Sequence, residues 1–416
     1  MKKDLFLISL VSFVFFIFGN WILSLTSLDE GRNFYATLHM LRTGDFIVPY
    51  YNCNYRFEKP PMLYWLGSLS FLIFGISEFS ARLISGLSAF GTTLLIYFIT
   101  LKHVSREKAL LSALTFPLFI HTWIESRAYV PEFTLVFFST LGVYLFSIDR
   151  FTLGWTALAL AFLTKGPVGV ILPIGIYLLW RRDLKFLNFK GVLLFILIGF
   201  SWYFLMIYKF GFNFFFKFFI FENIYRFTGT YQIHNMPIYF YPLVILVSSI
   251  LFLPVFLKIL KDFDKRLLPF AGWFLLVLVF YSLSKNKLHH YILFSYPALS
   301  VIIGFYLTKR YIKYAYIVGS FLLLILMFGV YIYEQKRFTP KAVDFLKNSE
   351  PQKLYFYKHE NSAIVAYLYR CITKENKFKK GDYVITKKKY LRDFKNYKLL
   401  IEGLEFEGKE VLIKVE

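Results

Sequence analysis

Charged residues and cysteines are scarce in this chain of 416 residues. Only 18% of the residues are charged, 57% are hydrophobic, and two are cysteines. A soluble domain averages about 25% charged residues, so the composition excludes an ordinary soluble protein. It also excludes a disordered chain, which is rich in charge, and a disulfide-rich secreted scaffold. The remaining class is a polytopic α-helical membrane protein.

Acidic residues are scarce as well. The chain has 26 Asp and Glu against 48 Lys and Arg, which gives a net charge of +22. In a membrane protein, Lys and Arg collect in cytoplasmic loops, where they set the topology and meet anionic lipid. The charge therefore favours contact with membrane lipid, and we expect no nucleic-acid partner.

Long apolar runs predict the membrane spans. A span needs about 20 apolar residues, and the runs predict about 11 spans, some of them short. Residues 61–75 are apolar but too few, and if they crossed, the basic loops that follow would face outward. We therefore expect a juxtamembrane helix there, inside a long first outer loop at 26–82. The predicted spans are 5–25, 83–101, 109–124, 133–148, 152–164, 168–180, 191–208, 237–257, 267–283, 291–307 and 314–333.

The composition changes near residue 334, where apolar runs stop. We predict a transmembrane domain at 1–333 and a small extracytoplasmic α/β domain at 334–416, because an odd number of spans puts the latter outside. Short strands are expected at 353–357, 383–386, 399–402 and 411–415, with a helix at 360–370. Cys53 and Cys371 both fall on the outer side, and we expect free thiols, with a disulfide as the alternative in an oxidising compartment.

Ionisable side chains of both signs gather at the outward ends of the spans. Such groups are costly near lipid and indicate function by default. Cations there suit an anionic group such as phosphate, and carboxylates offer a general base or metal ligands. Together they predict an outward-facing site for a lipid-linked phosphate. The cations are Lys59, Lys165, Arg226 and Lys287, and the carboxylates are Asp29, Glu58, Glu132 and Glu222.

Each of these motifs also has a structural interpretation. Asp29 could cap the helix that follows it. Residues 58–61 could end a loop and start a helix at proline. Lys165 could extend from a turn towards the interface, and His289 and His290 could anchor a helix end there.

Several segments, in order, resemble a known family. They are similar to the GT-C glycosyltransferases that use polyprenyl-phosphate sugars, in the branch of bacterial aminoarabinose transferase and relatives of the protein O-mannosyltransferases. The similarity runs through most of 1–307. The segments are DEGRNFYA at 29–36, EKPPMLYW at 58–65, LTKGP at 163–167, FENIYRF at 221–227 and SKNKLHHY at 284–291.

The resemblance implies a GT-C fold and an inverting sugar transfer at the periplasmic face of the bacterial inner membrane. The donor would be a sugar on undecaprenyl or a similar phosphate, and the expected acceptor is lipid A. A protein acceptor is one alternative. A transporter or flippase of lipid-linked sugars is another, but it would place charges near the bilayer midplane. We expect a monomer.

The resemblance also implies residue roles. Asp29 corresponds to the catalytic acidic residue, and Glu132 to a second acidic position. A divalent metal is the only cofactor implied, and Glu58 and Glu222 lie where some members bind one. Asn223 stands where the aminoarabinose branch has His, which argues against a zinc-like metal and against aminoarabinose as the sugar. The positions that hold the lipid phosphate are Lys59, Arg226 and Tyr291, with Arg32, Lys165 and Lys287 nearby.

Overall fold

The computed structural model describes residues 1–26, 28–230 and 234–416. Helices predominate, and strands occur in the first outer loop and near the C-terminus. The helices are α1 (Lys2–Ser12), α2 (Asp29–Thr43), α3 (Met62–Phe74), α4 (Glu78–His103), α5 (Arg106–Thr115), α6 (Ile120–Glu125), α7 (Glu132–Ser147), α8 (Phe151–Lys165), α9 (Val168–Arg181), α10 (Phe189–Gly199), α11 (Ser201–Phe210), α12 (Phe212–Phe215), α13 (Arg226–Thr228), α14 (Phe240–Ser248), α15 (Leu253–Lys261), α16 (Leu268–Leu283), α17 (Tyr296–Tyr306), α18 (Lys309–Lys336), α19 (Phe338–Ser349) and α20 (Ser362–Leu368). The strands are β1 (Tyr50–Tyr51), β2 (Asn54–Tyr55), β3 (Leu354–Phe356), β4 (Tyr383–Lys387), β5 (Tyr397–Glu405) and β6 (Gly408–Val415).

The chain divides into two compact units. The first comprises Met1–Phe18, Phe57–Leu66 and Arg82–Leu323, and the second comprises Gly19–Arg56, Gly67–Ala81 and Leu324–Glu416. This division differs from the predicted boundary at 333/334, because most of the first outer loop belongs to the same unit as the C-terminal segment.

Apolar helices confirm a polytopic helical membrane protein. Within the described residues, three helices are long and apolar enough to cross a membrane, or up to five if each bent pair counts as one span. The pair α10–α11 bends by 40° and the pair at 240–261 bends by 72°. Four shorter apolar helices, α3, α7, α8 and α9, accompany them. The predicted number of spans and their topology stay predictions.

The first predicted span, 5–25, is wrong in its extent. The helical segment that starts with α1 continues as a π-helical turn and ends at Ile17, because Phe18 adopts an extended conformation. The Arg127 guanidinium donates to the carbonyl of Phe18 at 3.0 Å and also to that of Phe15. Carbonyls at a helix end lack helical partners and are costly to bury alone. Arg127 supplies those partners, so the chain can leave the helix early.

Aromatic rings and small residues fill the core of the first unit. Trp202 and Tyr203 are fully buried, and the Tyr203 hydroxyl donates to the carbonyl of Phe162 at 2.8 Å. Helices α5 and α17 pack closely at Gly304, where a Cβ would overlap the backbone of Ser112. Small residues allow such close approach of membrane helices, where lipid gives no hydrophobic drive for association.

The C-terminal segment forms the expected α/β structure within the second unit. Four strands pair in the order β3-β4-β6-β5, with β3 and β4 parallel and the other pairs antiparallel. Helix α20 lies between β3 and β4 in sequence, as parallel neighbours require a crossover. The four predicted strands and the helix are confirmed. Helix α19 and the β1–β2 hairpin were not predicted.

The expectation of free thiols is wrong, because Cys53 and Cys371 form a disulfide. The neighbouring residues explain the pairing. The Asn52 side chain donates to the carbonyl of Ile372 at 3.0 Å and accepts from the Ile372 N–H at 2.8 Å. These two reciprocal hydrogen bonds bring the cysteines together. The cysteines are 318 residues apart in sequence, so no local pattern could indicate the pairing.

Candidate functional site

A cavity of about 510 Å³ lies within the first unit. It combines charged groups with a wall of aromatic rings and apolar side chains. A concave, largely apolar site with a few convergent polar groups is the usual form of a ligand site. The charged and polar residues are Glu58, Lys59, Lys165, Glu222, Arg226, Asn286 and Tyr291, and the wall includes Ile171, Phe215, Phe218, Phe219 and Phe280.

Lys165 is held in place by a buried carboxylate. Its Nζ lies 2.7 Å from Glu132 Oε1 and 4.4 Å from the centroid of the Tyr291 ring. His290 Nε2 lies 3.3 Å from the same carboxylate oxygen. Glu132 is 3% exposed, and its Oε2 accepts no hydrogen bond within the part of the chain that the structure describes. Glu132 therefore orients Lys165 at the cavity through Oε1, and its buried Oε2 is left to accept a hydrogen bond from a ligand.

Glu222 lies between two further cations, Lys217 and Arg226. Its Oε2 lies 2.9 Å from Arg226 Nε, the inner nitrogen of the guanidinium, and its Oε1 lies 3.2 Å from Lys217 Nζ. Glu222 and Arg226 are one helical turn apart, so they share a face. Lys217 also lies 4.0 Å from the centroid of the Phe221 ring. The carboxylate therefore joins two cations at one side of the cavity.

Backbone contacts fix the two segments that carry Arg226 and Tyr291. The Asn286 side chain donates to the carbonyl of Arg226 at 2.6 Å, and the N–H of Lys285 donates to the carbonyl of Phe227 at 3.0 Å. These bonds join segments about 60 residues apart in sequence. The cations and Tyr291 consequently line one cavity although they lie far apart in the sequence.

Glu58 and Lys59 reach the cavity from the start of α3. Pro60 and Pro61 precede the helix, and the N–H of Trp65 donates to the Pro61 carbonyl at 2.9 Å, as a proline at a helix start allows. The Tyr129 hydroxyl donates to the carbonyl of Leu63 at 3.0 Å and fixes the first turn. The structural interpretation of this motif is therefore correct, and the same turn presents Glu58 and Lys59 to the cavity.

Lys287 is not among the residues that line the cavity. It is 6% exposed, and its Nζ donates to the carbonyl of Ser284 at 2.7 Å, where it fixes the turn after α16. Lys217 and Asn286 were not singled out as candidates from the sequence. Lys217 stands alone in a run of phenylalanines, and a lone cation in an apolar stretch was the signal that could have revealed it.

Asp29 and Arg32 belong to the second unit. Asp29 is the first residue of α2, with Leu28 at the capping position, so the alternative that Asp29 caps the helix is wrong. The Glu30 side chain ties the chain before α2 to the first turn of the helix, since it accepts hydrogen bonds from the Thr26 N–H and hydroxyl at 2.8 and 2.9 Å. Asp29 Oδ1 lies 3.9 Å from Arg56 Nη2, and the Asp29 side chain is 40% exposed. A buried cation therefore faces an accessible carboxylate.

Arg32 faces the C-terminal segment of the same unit. Its Nη2 lies 3.8 Å from Glu360 Oε1, and the Tyr51 hydroxyl donates to that oxygen at 2.6 Å. Lys374 Nζ lies 3.0 Å from the other oxygen. Burial raises the pKa of Glu360, but the hydrogen bonds from Tyr51 and Lys374 and the charge of Arg32 outweigh it and leave that pKa lowered. Glu360 is thus held as a carboxylate.

Glu58 and Glu222 do not offer a ready metal site. Both oxygens of Glu222 already face cations. Asn223, at the position where the aminoarabinose branch has His, donates its amide to the Phe218 carbonyl at 2.7 Å. A divalent cation would have to displace two ion pairs and would gain no imidazole ligand. The residues present do not fit the metal that the resemblance implies at these positions.

Comparison with known proteins agrees with this architecture. The profile of the family described as dolichyl-phosphate-mannose-protein mannosyltransferase matches residues 58–208. A protein of Aquifex aeolicus is 35% identical over 302 residues, which cover 68% of this chain and 60% of that protein. The undecaprenyl phosphate-alpha-4-amino-4-deoxy-L-arabinose arabinosyl transferase 2 of Pseudomonas fluorescens is 32% identical over 307 residues, 68% of this chain and 52% of that protein. This chain thus matches little more than half the length of these relatives.

A solved structure has the same fold over nearly the whole chain. The crystal structure of ArnT from Cupriavidus metallidurans bound to undecaprenyl phosphate superimposes with a TM-score of 0.80, covering 98% of this chain and 97% of that one. The two chains are 18% identical, so the likeness establishes the fold alone. Together with the ordered motifs and the relatives, it confirms the resemblance read from the sequence. The chain belongs to the GT-C glycosyltransferases, in the branch of the aminoarabinose transferases and the protein O-mannosyltransferases.

Proposed function

We propose that the protein transfers a sugar from a polyprenyl phosphate to an acceptor outside the cytoplasm. The observation that carries this proposal is the cavity that joins cations to an aromatic wall. Lys59, Lys165 and Arg226 offer charge for a phosphate, and the phenylalanines beside them offer an apolar surface for the prenyl chain. Polyprenyl-phosphate sugars have these two features in one molecule.

The chemistry of the transfer explains why the cations matter. When the acceptor oxygen attacks the anomeric carbon, the bond from that carbon to the phosphate oxygen breaks, and the phosphate leaves with the bonding electrons. Negative charge grows on the phosphate as the bond breaks, so cations held at that position stabilise the transition state more than the ground state. The attack from the opposite side inverts the anomeric carbon.

The carboxylates would divide the remaining work. Glu132 would position Lys165, because it contacts Lys165 and His290 and is nearly fully buried. Asp29 is proposed as the catalytic acidic residue on the strength of the resemblance. It would accept the proton of an acceptor hydroxyl, or stabilise the positive carbon if the acceptor is already an anion. Its accessible carboxylate suits either task.

Lipid A is the proposed acceptor, on the strength of the resemblance to the aminoarabinose transferase branch, whose name the relative from Pseudomonas fluorescens carries. A protein acceptor is the second candidate, because the profile that matches 58–208 is named for protein mannosyltransferases. Mass spectrometry of lipid A and of extracytoplasmic proteins, from cells with and without this protein, distinguishes the two. A sugar that disappears from neither fraction would contradict both.

Substitution of the cavity cations tests the donor site. Lys59→Ala and Arg226→Ala should each lower kcat/KM for a polyprenyl-phosphate sugar by about 10²-fold or more, since one lost electrostatic donor costs about 3–4 kcal/mol. Lys258→Ala is the matched control, because Lys258 is exposed near the end of α15. Wild-type turnover by either cavity variant in reconstituted vesicles would refute the assignment.

We propose that the second unit faces the periplasm of a bacterial inner membrane. The disulfide supports this orientation, since disulfides persist in oxidising compartments. With both native cysteines bonded, Lys380→Cys would add one thiol at an exposed position. An impermeant thiol reagent should label this variant in intact spheroplasts. Labelling only after lysis would contradict the orientation.

A further inference from the structure

Three metal-ligating side chains meet in the first unit, outside the cavity lining. His121 and Glu125 lie one turn apart on α6, and His289 opens the 3₁₀ segment before α17. Among the described residues they form the one group of three such side chains whose ligand atoms all lie within 4.8 Å of one another. From the sequence, His289 was expected to anchor a helix end at the interface.

The separations between the three ligand atoms suit a tetrahedral ion. His289 Nδ1 lies 3.0 Å from Glu125 Oε1, His121 Nε2 lies 3.2 Å from His289 Nδ1, and His121 Nε2 lies 3.6 Å from Glu125 Oε1. Zinc binds imidazole and carboxylate at about 2.0–2.1 Å, which places tetrahedral ligand atoms about 3.3 Å apart. The three observed distances scatter around that value.

The surroundings favour ligation by His121. Its Nδ1 lies 3.1 Å from the hydroxyl of buried Tyr296, so in the tautomer whose Nδ1–H donates to this oxygen, the Nε2 lone pair faces Glu125 and His289. A ligating imidazole usually donates its second nitrogen in this way. His121 and Glu125 are 7% and 5% exposed, whereas His289 is 54% exposed. Two ligands are therefore buried, and the third leaves one side of the site exposed.

We propose that His121, Glu125 and His289 bind a zinc ion, with a solvent molecule at the fourth position. Two imidazoles and one carboxylate form a ligand set that zinc accepts, whereas Mg²⁺ and Ca²⁺ prefer oxygen ligands alone. The ion would fix the start of the segment that continues into His290 and Tyr291. His290 contacts Glu132, and Tyr291 lines the cavity. That positioning role rests on the proposed function, but the binding itself does not.

Zinc titration of the whole protein in detergent tests the site without any transfer assay. The chelator-treated wild type should bind one Zn²⁺ per chain in competition with a zinc dye, and the bound ion should raise its Tm. Co²⁺ in the same site should show the visible absorption of tetrahedral coordination. Glu125→Gln and His289→Gln should lose both signals, and Tyr296→Phe should weaken zinc affinity by about 10–100-fold.

Two further variants keep the test decisive. His289 is mostly exposed, so His289→Gln should fold even if a change at buried Glu125 does not, and His289→Asp should restore part of the affinity. His234→Gln, which changes another exposed histidine of the same unit, should bind zinc as the wild type does. Absence of stoichiometric zinc in the wild type, or equal affinity in His289→Gln, would overturn the site and leave a hydrogen-bonded cluster.

Discussion

Replacing Glu132 and Lys165 one at a time should cost more stability in total than replacing both together. The two charged groups are 2.7 Å apart, with side chains 3% and 15% exposed. At that separation the attraction is ~6 kcal/mol with an effective dielectric constant of about 20, before the cost of desolvating both groups. Removing one partner of a buried pair leaves the other uncompensated, which costs about 3–5 kcal/mol.

A double-mutant cycle measures this coupling. Glu132→Gln and Lys165→Met should each lower the free energy of unfolding by about 3–5 kcal/mol. The double variant should lose less than the sum of these two single losses. We expect an interaction energy of about 2–3 kcal/mol from unfolding of the protein in detergent. Because His290 also contacts Glu132, the loss for Lys165→Met should be the smaller of the two.

The pair Lys387 and Glu407 provides the matched control. Its Nζ–Oε2 distance is 2.6 Å, almost the same as in the buried pair, but the Glu407 side chain is 48% exposed. Exposed pairs contribute about 0–1 kcal/mol because water screens them. If the two cycles return the same interaction energy, burial does not govern the Glu132–Lys165 pair and the positioning role of Glu132 is refuted.

Three further perturbations test other parts of the structure. Arg127→Met should lower the free energy of unfolding by at least about 2 kcal/mol, because it removes charged hydrogen bonds to the carbonyls at the end of the first helical segment, and Arg127→Lys should recover part of that loss in the same unfolding assay. Gly31→Ala should cost about 1–3 kcal/mol, since its Cβ would lie 2.5 Å from the backbone of Ser362, whereas Gly329→Ala, with open space around it, should cost nothing; equal Tm values for the two would contradict the packing. The pKa of Glu360 is lowered in the folded state, so its contribution to stability is present above its ordinary pKa of 4.5 and is lost as the pH falls through the folded pKa; Glu360→Gln should flatten the pH dependence of unfolding in that acidic range, and an unchanged profile would refute the assignment.

The sequence was sufficient for the fold class because local patterns carry that information. Apolar runs identified most of the helices, and alternating residues identified the four strands of the C-terminal sheet. The first helix was overestimated because its early end depends on Arg127, more than 100 residues away in sequence. A hydropathy pattern cannot contain a hydrogen-bond donor that comes from the distant turn between α6 and α7.

The candidate site was predictable in its cations and less so in its carboxylates. Lys59, Lys165, Arg226 and Tyr291 were expected together, and they line one cavity. Glu222 was expected to bind a metal, but its oxygens face Arg226 and Lys217. The difference arises because a carboxylate beside cations becomes an ion-pair partner, and only three-dimensional neighbours reveal which cations lie beside it.

These ion pairs have a consequence for how the cavity would hold a phosphate. Glu132 and Glu222 offset much of the charge of the cations that they orient, so the large net charge of the chain is not concentrated at this site. Attraction through net charge acts over a Debye length of about 8–10 Å and weakens with salt. Fixed donors at short range, in contrast, stabilise charge that develops where they point, because they need not reorganise when the bond breaks. A cavity built in this way would gain little from long-range attraction and most from the correct position of the phosphate, which is the property that a transition state for phosphate departure requires.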